Sequence, residues 1–177
     1  KGDHGGSAGL LREGKGSTWE GGMREPMIAW WPGKIQGGQV ELQMGSTLDF
    51  LPTILHLAGT SIPAERVLDG YDISPAFLGT GVSPRQVMFF YRGQRLYAVR
   101  KGPYKAHYVT EAAYGRDRRP AEHDPPLVYH LGHDPSERFN VAADHREVVQ
   151  SINKVVERNQ ANLVRGENQL LKRLEGN

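Results

Sequence analysis

Four short runs rich in β-branched and aromatic residues, Val87–Tyr91, Leu96–Arg100, Tyr104–Thr110 and Leu127–Leu131, precede a long segment from Asp144 with apolar residues at helical spacing. This succession constrains the fold more than any other feature. Brief polar turns separate the first three runs, which predicts hairpins and a small antiparallel meander. The polar stretch Glu111–Pro126, with Arg116, Arg118, Arg119 and three prolines, makes one long excursion before the fourth run. In the final segment Val148, Val149, Ile152, Val155, Val156 and Leu163 share one face, which predicts a helix lying across the meander. Asp144 with Glu147 three residues later approximates a capping box at its start. The tail from Gly166 is read as a further short helix or a frayed end.

The first half has a different texture. Residues 1–22 carry 8 of the 22 glycines, a density that favours a loop over regular structure. Met27–Trp31 is apolar without alternation and stops at Pro32-Gly33, the pattern of a strand buried on both faces, as in a parallel sheet. Ser46–Gly59 predicts a helix, with Leu48, Leu51, Leu55 and Ala58 on one face, Ser46–Leu48 as a looser entry, Asp49 as N-cap, Pro52 in the first turn and Gly59 at C′. A turn-rich segment from Leu68 leads to a short helix near 74–79. The 177 residues suit one domain or one domain with a small appendage, and 38% hydrophobic residues permit a packed core. A net charge of +2 gives no electrostatic footprint for nucleic acid. The longest apolar runs, five residues each, exclude a membrane-spanning helix. Without cysteine, disulfides, thiolate zinc sites and a cysteine nucleophile are excluded. The opening Lys-Gly-Asp-His-Gly-Gly would start a domain on a loop with no element to anchor it. The expectation is therefore a piece of something longer.

Gly9-Leu-Leu-Arg-Glu-Gly14-Lys15-Gly16-Ser17 nearly spells a phosphate-binding loop. That loop needs Ser or Thr directly after the lysine and a strand before the first glycine, and neither condition is met. What remains is Lys15 on a tight glycine loop, able to offer an ammonium to an oxyanion or to stand in water as a surface lysine. His123, His130 and His133 with Asp124 and Asp134 are too loosely spaced for a metal site and read as structural or surface groups. His56, inside the apolar helix, reads as a packed histidine. Lys105 and His107 alternate on one strand and so share a face, either lining a cleft or facing water.

Gly14-Lys-Gly-Ser-Thr-Trp-Glu-Gly-Gly-Met-Arg-Glu-Pro26 resembles the second signature of the type I sulfatases. The resemblance continues in order through Trp31-Pro-Gly33, Ser46–Thr53, Leu68–Asp72, Tyr104-Lys-Ala-His107, Pro126–Leu131 and Asp134-Pro-Ser-Glu137. It implies an α/β fold in which residues 1–84 are the C-terminal portion of an alkaline-phosphatase-like catalytic domain. Residues 85–177 would form a small α+β domain, a four-stranded antiparallel sheet with a helix. The implied activity is that of a sulfuric ester hydrolase acting on an aryl or sugar sulfate. Lys15 corresponds to the family lysine that binds a sulfate oxygen, with His107 and His4 as further substrate-binding candidates. The family nucleophile, a formylglycine made in a Cys/Ser-x-Pro-x-Arg motif, has no counterpart, since Ser83-Pro-Arg85 has the wrong spacing.

The implied cofactor is calcium, with its ligands expected upstream of Lys1. Gly2-Asp-His-Gly resembles the loop after the family's Asp-Asn-Gly motif, so Asp3 and His4 are not assigned as ligands, and His is a poor partner for a hard cation. The implied partners are a sulfated small molecule or glycan and the N-terminal part of the same enzyme. An exported, periplasmic or lysosome-like location is implied in the same way. A chain of this kind is expected to be inactive alone. The alternative is a sulfatase-derived binding module, or one half of a split enzyme.

Overall fold

A computed structural model describes residues 6–62, 65–113, 119–164 and 166. Four strands, β1 (Val87–Arg92), β2 (Arg95–Lys101), β3 (Tyr104–Thr110) and β4 (Ala121–His130), form one antiparallel sheet in the order β1-β2-β3-β4. The expected meander is therefore present. The excursion is shorter than the sequence predicts, because β4 already begins at Ala121, with Thr110 opposite Ala121 and Val109 opposite Glu122. A register irregularity between His107 and Val109 accommodates them. Arg116 and Arg118 lie outside the described residues, and Arg119 is exposed.

A long helix, Arg146–Asn162, crosses one face of the sheet. Its Ile152 and Val156 are buried with Val99, Ala106, Val128 and Ala142 in the main apolar cluster. Val99 pairs with Ala106 and Ala106 with Val128, so one row across three strands supplies the floor of this core. Period-two alternation sends Ala98, Lys105, His107 and Tyr129 to the opposite face. The predicted capping box does not form. His145 occupies the N-cap position without a side-chain cap, and Asp144 precedes it. The tail after Gly166 lies outside the described residues.

Upstream, three short helices cover Glu20–Met23, Phe50–Leu57 and Ser74–Phe77. We number the helices α1 to α4 in chain order, the long one being α4. Helix α2 is entered through a 3-10 turn, Thr47–Asp49, in place of the looser entry over Ser46–Leu48 that the sequence suggests. Ser46 is the capping residue: its hydroxyl accepts from the Leu48 N–H, and the Asp49 carboxylate accepts from the Ser46 N–H. Asp49 precedes α2 as expected but gives it no side-chain cap. The helix ends as read, with Gly59 N–H donating to His56 O and Thr60 N–H to Leu55 O, a Schellman arrangement.

Two expectations fail in this half, and for related reasons. Met27–Trp31 forms no strand. Ile28 is 93% and Trp30 84% exposed, and among the described residues no strand pairs with the run. A doubly buried strand exists only with a neighbour on each edge and a layer on each face. Helix α2 likewise turns Leu51 and Ile54 outward and buries Pro52 and Thr53. Thr53 Oγ1 accepts from the Ile73 N–H at 3.0 Å, so a polar contact with the following loop sets its orientation. His56 is exposed rather than packed, with Nδ1 3.5 Å from the Asp72 carboxylate.

Candidate functional site

The residue after Lys15 determines how Lys15 is displayed. Ser17 N–H donates to Gly14 O at 3.2 Å, closing a four-residue turn with Lys15 and Gly16 at its centre. Gly16 has φ +94°, the sign that the third position of a type II turn requires and that a Cβ penalises. Lys15 thus stands at the turn apex, exposed, with no ion-pair partner among the described residues. His4 lies outside the described residues.

The chain then dives inward. Ser17, Thr18, Trp19 and Glu20 are all buried. Gly21 and Gly22 let α1 press against the returning loop. A Cβ on Gly21 would stand 2.5 Å from the Arg12 and Glu13 carbonyl oxygens, and one on Gly22 2.6 Å from Gly14 O. The Gly21 N–H donates to Arg12 O at 2.9 Å, closing residues 12–21 into a loop.

That loop rests on the sheet face opposite α4. Lys105, 0% exposed, donates from Nζ to Glu20 Oε1 at 2.8 Å, and Glu137 Oε1 lies 3.6 Å away. Glu137 is also fully enclosed. One of its oxygens accepts from the Glu20 N–H at 2.6 Å, and the other faces His107 Nε2 at 2.7 Å. The Glu137 carbonyl oxygen accepts from Arg12 Nη1 at 2.8 Å. The Arg12 guanidinium sits 3.7 Å above the Trp19 ring, whose other neighbours are His107 and Tyr129. Two cations and two carboxylates balance, so a neutral His107 leaves the cluster without net charge.

His107 therefore neither lines a cleft nor faces water. It shares a face with Lys105 as alternation requires, but the face is covered by Trp19 and Glu137. A side chain enclosed this far gains no accessible surface from further chain packed on the same fold, so its geometry suits support rather than substrate contact. Burial holds its pKa below the ordinary imidazole value, against the pull of Glu137 and with help from the Lys105 charge. With Nε2–H donating to Glu137, Nδ1 is left as a bare lone pair with no partner among the described residues, and a proton there would have no acceptor. Burial raises the Glu137 carboxyl, but His107, Lys105 and the Glu20 amide outweigh it and hold the pKa low.

Both shifts act in one direction. The unfolded chain takes up protons at these sites before the folded one does, so stability falls with acid. The His107 contribution is complete above about pH 6.5 and lost as pH drops below it, and the Glu137 contribution follows below about pH 4.3. The melting temperature is expected to decline from pH 7 to pH 5, and His107→Gln is expected to flatten that slope. An unchanged slope in the variant would show that His107 does not carry it.

The other described histidines lie apart from this cluster. His130 and His133 stack at 4.0 Å across the turn after β4, and His123 Nε2 lies 2.8 Å from Thr110 Oγ1. Among the described residues no group of three or more His, Asp or Glu side chains is placed to hold a metal. The cluster at Lys105 fails for a plain reason, since an ammonium already occupies the space between its carboxylates. Ser83 and Arg85 are buried structural groups, Arg85 paired with Asp49 at 2.5 Å. Among the described residues no helix is long and apolar enough to cross a membrane.

Sequence reasoning missed Arg12, Glu20 and Glu137 as members of one cluster. Their partners lie 85 to 125 residues apart in the chain, beyond any local pattern.

The family model described as the C-terminal region of aryl-sulfatase matches residues 83–175, and the sulfatase model matches residues 1–60. The chain belongs to the sulfatase family. It is 43% identical to the N-acetylgalactosamine-6-sulfatase of Canis lupus familiaris over 95% of its own length and 36% of that protein. It is 45% identical to arylsulfatase A of Homo sapiens, over 85% of this chain and 33% of the relative. Among solved structures, PsFucS1 sulfatase from Pseudoalteromonas sp. superposes with a TM-score of 0.75 at 31% identity, covering 85% of this chain and 32% of that one. The chain thus spans about a third of the length of the curated relatives it matches.

Proposed function

We propose that this chain forms the C-terminal part of a sulfatase, residues 1–84 completing its α/β catalytic domain and residues 85–177 forming the appended sheet and helix. It contributes Lys15 to the pocket that hydrolyses a sulfate monoester of an aryl or sugar substrate. The observation that carries this reading is the display of Lys15, an exposed ammonium at the apex of a glycine turn, without an ion-pair partner among the described residues and followed by the buried run Ser17–Glu20. Cleavage of a sulfate ester builds negative charge on its oxygens, and a cation fixed before the reaction stabilises that charge without reorganising. Support also comes from the exposed apolar side chains of residues 27–31 and α2, which suit a surface that more of an α/β domain would cover.

The nucleophile and the calcium implied by resemblance belong to the complete enzyme. The described residues do not fit a calcium cage, which needs six or more oxygen ligands. The test is hydrolysis of 4-nitrophenyl sulfate by the complete protein encoded with this chain. Turnover that depends on Lys15 is expected. Turnover by the 177-residue chain alone, or none by the complete protein on aryl or sugar sulfates, would overturn the proposal.

A further inference from the structure

The loop that displays Lys15 is held at both ends by the C-terminal half of the chain, through strand β3 and the turn that follows β4. On its descending limb, Ser136 Oγ donates to Leu10 O at 2.5 Å and Arg12 Nη1 to Glu137 O. On its returning limb, Glu20 is bound through its side chain to Lys105 and through its N–H to Glu137. Four contacts from two residues of one turn and one residue of β3 thus bracket a ten-residue loop, 12–21, that is already closed on itself.

The cost of this arrangement argues that it does more than fill space. A lysine and two glutamates with essentially no exposure are expensive to bury, and apolar residues of similar volume would pack the same region as well or better. Glu137 also holds φ +51°, a left-handed backbone that asparagine or glycine adopts more readily. A side chain kept under such conditions is held for what its carboxylate binds, and both of its oxygens point at the loop and at the strand that carries Lys105.

We propose that Arg12, Glu20, Lys105 and Glu137 are positioning residues for Lys15, so that the C-terminal sheet fixes where the sulfate-binding ammonium stands. This rests on the assignment of Lys15 in the preceding section. None of the four touches the reacting atoms. Their effect passes through the loop, and a displacement on the order of 1 Å at an oriented catalytic group is enough to cost up to about 100-fold in rate.

The test is a double-mutant cycle in the complete sulfatase, with kcat and KM on 4-nitrophenyl sulfate and the melting temperature measured for each variant. Glu20→Gln keeps the shape and one acceptor for Lys105 but removes the charge. Arg12→Met removes the outer clamp at an exposed site, where the guanidinium bonds the Glu137 carbonyl oxygen and leaves the direct Lys105–Glu20 and His107–Glu137 contacts in place, and serves if the first variant fails to fold. Each is expected to lower kcat by about 10-fold with KM within about twofold. In a Lys15→Ala background the same substitutions are expected to change kcat by less than about twofold, because the group they position is gone. Equal losses in both backgrounds, or an undiminished kcat in folded Arg12→Met protein, would overturn the positioning role while leaving Lys15 in place. Normal kcat in Lys15→Ala itself would overturn both.

Discussion

Replacing Asp49 with alanine is expected to remove about 3–5 kcal/mol of stability, read as a lower urea midpoint at unchanged slope. The carboxylate is fully buried and used four times. One oxygen accepts from Tyr71 N–H at 2.7 Å and Arg85 Nη2 at 2.5 Å, and the other from Ser46 N–H at 2.8 Å and Arg85 Nε at 2.6 Å. Arg85 is itself buried and also donates to Asp69 O. Truncation strands this guanidinium inside the protein and frees two backbone amides, which is why the loss exceeds that of an ordinary surface pair. Adding Arg85→Met to Asp49→Ala removes the stranded charge and is expected to recover part of the loss. A change below about 1 kcal/mol in Asp49→Ala would show that the pair does not hold this region together. Acid acts on the same group. Burial raises the Asp49 carboxyl, but the Arg85 hydrogen bonds and the Tyr71 and Ser46 amides hold its pKa low overall. Its contribution is therefore complete above about pH 4 and lost as pH falls further.

Lys15→Ala is expected to lower kcat of the complete sulfatase by about 10²–10³, the usual cost of removing one preorganised oxyanion partner. The melting temperature is expected to stay unchanged, because Lys15 is exposed and makes no ion pair among the described residues. This contrast with Asp49 is the diagnostic: one substitution costs rate without stability, the other stability first. Lys15→Arg keeps the charge but replaces a compact ammonium with a broader planar fork, so partial activity is expected. If Lys15→Ala retained full kcat on aryl and sugar sulfates, the ammonium would have no place in the pocket.

The parts of this molecule that could be read from sequence are those whose partners lie nearby. The hairpins from Val87 to Thr110 are adjacent in the chain, and the apolar stripe of α4 needs only the sheet just before it. The turn that carries Lys15 was legible because it is local, with Gly16 supplying the φ that the turn demands. The failures are of another kind. Met27–Trp31 has the composition of a buried strand, yet composition describes the environment a segment suits and cannot supply the neighbours that create it. In α2 the apolar stripe was correctly located on one face, but Thr53 and Asp49 bind residues 71–85 and turn the other face inward. Lys105 and His107 were rightly placed together by alternation. Their burial was not legible, because the covering residues, Trp19, Glu20 and Glu137, come from both ends of the chain.

The bonds that tie residues 10–20 to residues 105–137 have a practical meaning for exchanging parts between related enzymes. A recombination boundary drawn at the apparent seam near residue 84 would cut through Glu20–Lys105 and Arg12–Glu137 and graft a foreign sheet beneath the lysine loop. A chimera should instead inherit both sets of residues from a single parent, with the crossover confined to positions that touch neither.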